Sequence, residues 1–184
     1  MRALLLALAL AAPASAGNPF PTDFGGDYAL TDHHGTSRGP ADPDGNLQLV
    51  FFGYASCEAI CTVALPIMAE MAADLAARDI LVTPLVITVD PARDTVTSMG
   101  PALATFAPGL TGLTGSEDAL AHARDLFHVE RTPLFEEPLG GIVYGHGSHI
   151  FVMDGEGGFL TLLPPILSTA RMVEIVAGYA GAGG

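Results

Sequence analysis

Leu47-Gln48-Leu49-Val50-Phe51-Phe52-Gly53-Tyr54-Ala55-Ser56-Cys57-Glu58-Ala59-Ile60-Cys61 is the stretch on which the fold turns. Its first seven residues are apolar except for Gln48, the pattern of a short buried strand. From Cys61 onward, Val63, Ile67, Met71 and Leu75 recur at four-residue spacing, which predicts a helix to about Ala77 packed by one face. Both cysteines therefore fall at a strand-to-helix junction. The positive end of the helix dipole lowers the pKa of a thiol placed there and raises its thiolate fraction.

Working outward, Asp27 to Asp32 with the turn His33-His34-Gly35 reads as a short N-terminal hairpin. The β-branched run from Ile80 to Val89 is a central strand, followed by Asp90-Pro91-Ala92-Arg93-Asp94-Thr95. Helices are expected over Thr95–Phe106 and from Ser116 to about Phe127, with Leu110 to Gly115 leaving room for only a short strand between them. Glu117 and Asp118 stand where a helix N-terminus favours acids. Thr132 to Ile142, with Pro133, Pro138 and Gly140-Gly141, reads as a loop without its own core. Ser148–Asp154 and Phe159–Leu163 are two strands joined by the turn Gly155-Glu156-Gly157-Gly158, and Ser168 caps a last helix to about Tyr179, with a frayed tail. Two successive strand-helix units give parallel pairing and the late hairpin gives an antiparallel edge. The expected fold is α/β and thioredoxin-like, a mixed central sheet flanked by helices, with the N-terminal hairpin added.

The chain of 184 residues carries a formal charge of −13, with no lysine and seven arginines. Binding to nucleic acid or to an anionic membrane needs clustered basic residues, so neither partner is expected. Met1-Arg2, a Leu/Ala run and Ala14-Ser15-Ala16 form a secretory signal, so residues 1–16 are expected to be cleaved and 17–184 to form one exported, periplasmic or otherwise extracytoplasmic domain. The run is broken at Pro13 and falls short of the about 20 apolar residues of a membrane span, so no stable membrane anchor is expected.

An even pair of cysteines in an oxidising compartment is compatible with a structural disulfide, with redox exchange, or with a metal. Closing so short a loop removes little entropy from the unfolded chain and so stabilises the fold little, which weighs against the purely structural bridge. Soft thiolates select Cu(I) or Zn(II), and an imidazole completes a Cys2His set. Of six histidines, His33 and His34 lie in a turn and His122 and His128 on or after a helix, where surface or packing roles are expected. His146 and His149 flank the start of the late strand, and spacing alone does not choose between them. Met68, Met71 and Met99 stand at helical positions and are expected to fill the core rather than bind copper.

Phe52 to Cys61 resembles the strand and Cys-x3-Cys motif of the Sco/SenC family, and Ile87-Thr88-Val89-Asp90-Pro91-Ala92-Arg93-Asp94-Thr95 resembles its Asp-Pro-x-Arg-Asp-Thr segment. Leu110 to Gly115 matches a third block, and with Val152-Met153-Asp154-Gly155-Glu156-Gly157 as the fixed point the family's copper-binding histidine falls on His146, with His149 a minor alternative. The resemblance implies copper held by Cys57, Cys61 and His146, with Asp90 close by, either orienting a ligand or simply ending its strand. Arg93 and Asp94 are expected to hold the following turn and helix start. Glu58 and Thr62 replace prolines common in the motif, and Gly145 stands where an acid frequently precedes the histidine.

By the same resemblance the function is copper delivery to, or maturation of, the CuA site of cytochrome c oxidase. Its partners would be subunit II or another copper-receiving protein, and other periplasmic copper chaperones. The alternative is a thiol-disulfide reductase in which Cys57 and Cys61 exchange with the target's cysteines. A peroxiredoxin-like peroxidase shares the fold, but the Pro-x-x-x-Thr-x-x-Cys arrangement usual there is absent before Cys57.

Overall fold

A computed structural model describes residues 23–55, 61–137, 141–164 and 166–182, with Cys61, Thr62 and Ala182 described by their backbone only. The strand β3 (Leu47–Gly53) is the middle of the molecule. It pairs in parallel with β4 (Val82–Thr88) over its whole length, from Leu47 opposite Val82 to Gly53 opposite Thr88. Its other edge pairs antiparallel with β8 (Ile150–Met153), which turns into β9 (Phe159–Leu163). β4 in turn pairs in parallel with β5 (Thr111–Thr114), and β1 (Leu30–Asp32) with β2 (Ser37–Arg38) completes the far edge antiparallel to it. The seven-stranded order is β2-β1-β5-β4-β3-β8-β9, so the mixed sheet and the N-terminal hairpin agree with the reading from sequence.

The helices follow their signals. Helix α1 (Cys61–Ala76) buries Leu65, Met68, Met71 and Leu75 and packs against β4 and the last helix. Val63, placed by its spacing on the packed face, is 51% exposed. A strict four-residue step drifts away from a helix of 3.6 residues per turn, and the buried stripe is the one that mixes steps of three and four. Helix α2 (Val96–Ala104) begins at a reciprocal cap, with the Thr95 hydroxyl accepting from the Ser98 amide and the Ser98 hydroxyl accepting from the Thr95 amide. It lies so close to β5 that a Cβ on Gly112 would sit 2.7 Å from Met99 Cε and 2.8 Å from Leu103 Cδ1. Met68, Met71 and Met99 are fully buried, as core filling requires.

Helix α3 (Glu117–Leu126) is capped by the Ser116 hydroxyl, and α4 (Thr169–Ala182) by that of Ser168. The last helix runs past Tyr179 to Ala182, so the Ala-Gly segment expected to fray is helical that far.

One expectation fails outright. Of the segment expected to be a loop, residues 132–137 and 141–142 belong to a second, two-stranded antiparallel sheet, β6 (Thr132–Glu137) with β7 (Gly141–Gly145), while residues 138–140 lie outside the described residues. A two-stranded ribbon has only edges, and an edge tolerates a proline whose missing amide would break a central strand. The register shifts between Pro133 and Phe135. Leu134, Phe135 and Ile142 are 61%, 58% and 42% exposed, so the hairpin indeed has no core of its own.

At the other end of the sheet, His33 is half-buried with its Nδ1 accepting from the Gly112 amide at 2.9 Å, while His34 stays exposed. Burial, reinforced by His34 and opposed by Asp32, holds the His33 imidazole below the ordinary histidine value of 6.5. His122 reaches the Asp27 carbonyl at 3.0 Å.

Candidate metal centre

The parallel strands β3 and β4 end side by side, and the segments leaving them form the site. Val89 donates its amide to the Gly53 carbonyl at 2.8 Å, which carries the pairing one step past both strands. From there β3 continues through Tyr54 and Ala55, both buried, toward residues 56–60. Cys57 lies outside the described residues, as does Glu58. The backbone places Cys61 as the first residue of α1, whose first turn contains no acid. That is the helix-terminal position expected for it, and one that favours the thiolate.

Asp94 anchors the root of the cysteine segment. Its carboxylate accepts from the Ala55 amide at 2.9 Å and from the Thr88 hydroxyl at 2.8 Å, while its carbonyl accepts from the Thr114 hydroxyl at 2.7 Å. It therefore ties together the ends of β3, β4 and β5. Burial pushes the Asp94 carboxyl above the ordinary carboxylate range, against the two hydrogen bonds that pull it down. The expectation that Asp94 holds only the following turn and helix start is too narrow, because its side chain reaches across 39 residues to Ala55.

His146 comes from the opposite side, on the segment between β7 and β8. It is 5% exposed, with its ring edge-on to Phe51 and to Tyr54, both at a centroid distance of 5.7 Å. Such edge-on contacts fix the plane of an imidazole. Tyr54 is three residues before Cys57, so the buried histidine and the cysteine-bearing segment share one end of the sheet. His149 is exposed and lines, with His146 and Gly147, a cavity of about 710 Å³ whose apolar wall includes Phe52, Phe127 and Phe151. His128, for which the sequence offers no link to this loop, lines the same cavity. Its ring stacks edge-on against Phe24, and its Nε2 stands 3.5 Å from the Asp23 carboxylate.

Asp90 is 3% exposed, takes its amide hydrogen bond to the Thr88 hydroxyl, and pairs with the guanidinium of Arg93. Arg93 also donates to the Ile142 carbonyl at 2.7 Å and lies 5.3 Å over the Tyr54 ring. Its carbonyl accepts from Ser98, which does steady the helix start, but the side chain faces the site. Among the described residues no three histidine, cysteine or acidic side chains converge on one point. The converging elements are instead His146, Tyr54, Asp90 and Arg93 around the strand end that runs into the cysteine segment.

A mixed sheet with two parallel crossovers, a late antiparallel hairpin and cysteines at the first strand-to-helix junction defines a thioredoxin-like protein. The SCO1/SenC family model matches residues 16–181, and the chain belongs to that family. A mitochondrial SCO2 homolog from Mus musculus is 33% identical over 153 residues, 82% of this chain and 60% of that protein, so this chain aligns with well under the whole of that relative. The SCO2-like protein of Rickettsia felis is 32% identical over 155 residues, 84% of this chain and 76% of its own length. Yeast Sco1, solved with copper bound, superposes with a TM-score of 0.78 at 27% identity, over 86% of this chain and 89% of that one.

Proposed function

We propose that this chain is an exported copper carrier that holds one copper through the Cys57 and Cys61 thiolates and the His146 imidazole and passes it to the CuA site of cytochrome c oxidase. The observation that carries the reading is the buried His146 ring, packed on Phe51 and Tyr54 at the sheet end that leads into Cys57. Membership of the SCO1/SenC family and the copper-bound state of yeast Sco1 support copper as the cargo. Two thiolates with one imidazole suit Cu(I) as a three-coordinate ion and leave room for an incoming thiolate, which is what transfer to a second protein requires. Asp94, by holding Ala55, fixes where the cysteine segment starts. No described helix is long and apolar enough to cross a membrane. Export rests on the signal-like residues 1–16, and the partner would be subunit II or another periplasmic copper-receiving protein.

A second reading, reduction of the target's cysteines by the Cys57 and Cys61 dithiol, is favoured by the place of Cys61 at the helix start. One experiment separates the two. In one arm the Cu(I)-loaded chain is mixed with the reduced, metal-free CuA domain and the copper carried by the reisolated domain is measured; in the other the reduced, copper-free chain is mixed with the disulfide form of that domain and loss of the disulfide is followed. The carrier reading predicts that His146→Ala loses metal transfer while keeping disulfide reduction at close to the parent rate. Unchanged metal transfer in that variant would remove His146 from the ligand set, and disulfide reduction without metal transfer by the parent would leave only the reductase.

A further inference from the structure

The β6–β7 hairpin hydrogen-bonds to itself and not to the seven-stranded sheet. Leu134, Phe135 and Ile142 face solvent, while Tyr144 packs against the core, so hydrophobic burial fixes the hairpin only in part. Yet the strand β7 leads directly into His146, whose ring has to be held in place. Polar ties add to that burial, and the described ties lie on its two sides. Arg131, paired with Glu117 on α3, lies 4.0 Å over the Tyr144 ring. Arg93 reaches the hairpin from the side of the cysteine segment.

From these contacts we infer that Arg93 is a positioning residue, a latch that fastens the hairpin to the end of β3 and thereby sets the place of His146. Its guanidinium engages three segments at once. It pairs with Asp90 beyond β4, donates to the Ile142 carbonyl of β7 at 2.7 Å, and covers the Tyr54 ring beyond β3. Tyr54 is the same ring against which His146 packs, and Ile142 is four residues before His146. The latch therefore touches both the floor under the imidazole and the strand that delivers it. Asp90 has a role in this arrangement without touching a metal. Its buried carboxylate aims the planar fork so that the remaining N–H groups face the hairpin. A lysine has the charge but no fork, so it cannot serve Asp90 and Ile142 together with the same geometry.

The consequence for copper rests on the carrier reading above, whereas the latch itself does not, and the test keeps the two apart. In the metal-free whole chain, Arg93→Gln is expected to speed amide hydrogen exchange in residues 143–145 by about tenfold, the change that loss of one charged hydrogen bond brings, with exchange in β3 and β4 unaltered. Arg93→Lys, which retains the charge and is the milder change for folding, is expected to stay close to Arg93→Gln rather than to the parent. Cu(I) affinity, measured by chelator competition, is expected to fall about tenfold in Arg93→Gln but not to fall further when Arg93→Gln is added to His146→Ala. Hairpin exchange equal to the parent in both arginine variants overturns the latch, and an equal copper loss with and without His146 overturns its action on copper through His146. If the hairpin loosens while His146→Ala binds copper like the parent, the latch stands and the assignment of His146 as a ligand falls.

Discussion

Replacing either Cys57 or Cys61 by serine is expected to abolish tight Cu(I) binding, with a loss larger than the roughly 10–100-fold that changes behind the ligands produce. A serine hydroxyl is a hard donor that stays protonated at neutral pH, so it supplies neither the charge nor the polarisable sulfur that Cu(I) selects. The remaining thiolate and His146 offer two donors, a set open to displacement by the competing chelator. Cys61 adds a second contribution, because the first residue of α1 lies where the helix dipole stabilises a thiolate. Anaerobic competition titrations of the reduced variants, with far-ultraviolet circular dichroism confirming the fold, check the result. Parent-like affinity in either single variant would remove that sulfur from the ligand set.

Phe51→Ala is expected to give the largest loss of stability among single changes near the site, about 3–5 kcal/mol, seen as a fall of roughly 10 °C or more in the unfolding midpoint. Phe51 is completely buried on the central strand, opposite Val86 of β4, and its removal leaves a cavity at the middle of the sheet. The same ring is one of the two walls of His146, so copper affinity should fall in the fraction that stays folded. Val63→Ala on the exposed side of α1 is the control, expected within about 0.5 kcal/mol of the parent. Urea melts of the metal-free proteins separate the stability loss from the effect on binding. A Phe51→Ala loss below about 1 kcal/mol would contradict the packing described for β3.

The parts of the molecule that could be read from the chain are those set by local chemistry. The run Leu47–Gly53 is buried on both faces from Gln48 onward, so its strand followed from composition, whereas its place at the middle of the sheet did not. Thr95 with Ser98 and Ser116 with Glu117 and Asp118 mark helix starts through bonds made within one turn. The β6–β7 hairpin was hidden because Pro133, Pro138 and Gly140-Gly141 are breakers by local rules, and a ribbon consisting only of edges escapes those rules. The face of α1 was misjudged at Val63 because an even four-residue spacing was read as a straight stripe.

At the site the division is the same. The family resemblance, with the Val152–Gly157 turn as its fixed point, implies His146 where spacing alone leaves His146 and His149 open, and the structure places His146 buried beside Tyr54. The reach of Asp94 to Ala55 and of Arg93 to Ile142 crosses 39 and 49 residues of chain and leaves no local mark in the sequence. From the sequence, both are expected to hold the following turn and helix start rather than bind copper. The folded chain uses that turn, at the end of β4, to brace the segments on either side of it.

The most direct measurement is an anaerobic Cu(I) titration of the reduced chain alongside its His146→Ala and His149→Ala variants. One copper per chain, with tight binding lost in His146→Ala and kept in His149→Ala, is the predicted result. Tight binding kept in His146→Ala and lost in His149→Ala would move the third ligand to the exposed histidine, and absence of stoichiometric binding by the parent would contradict the copper site itself.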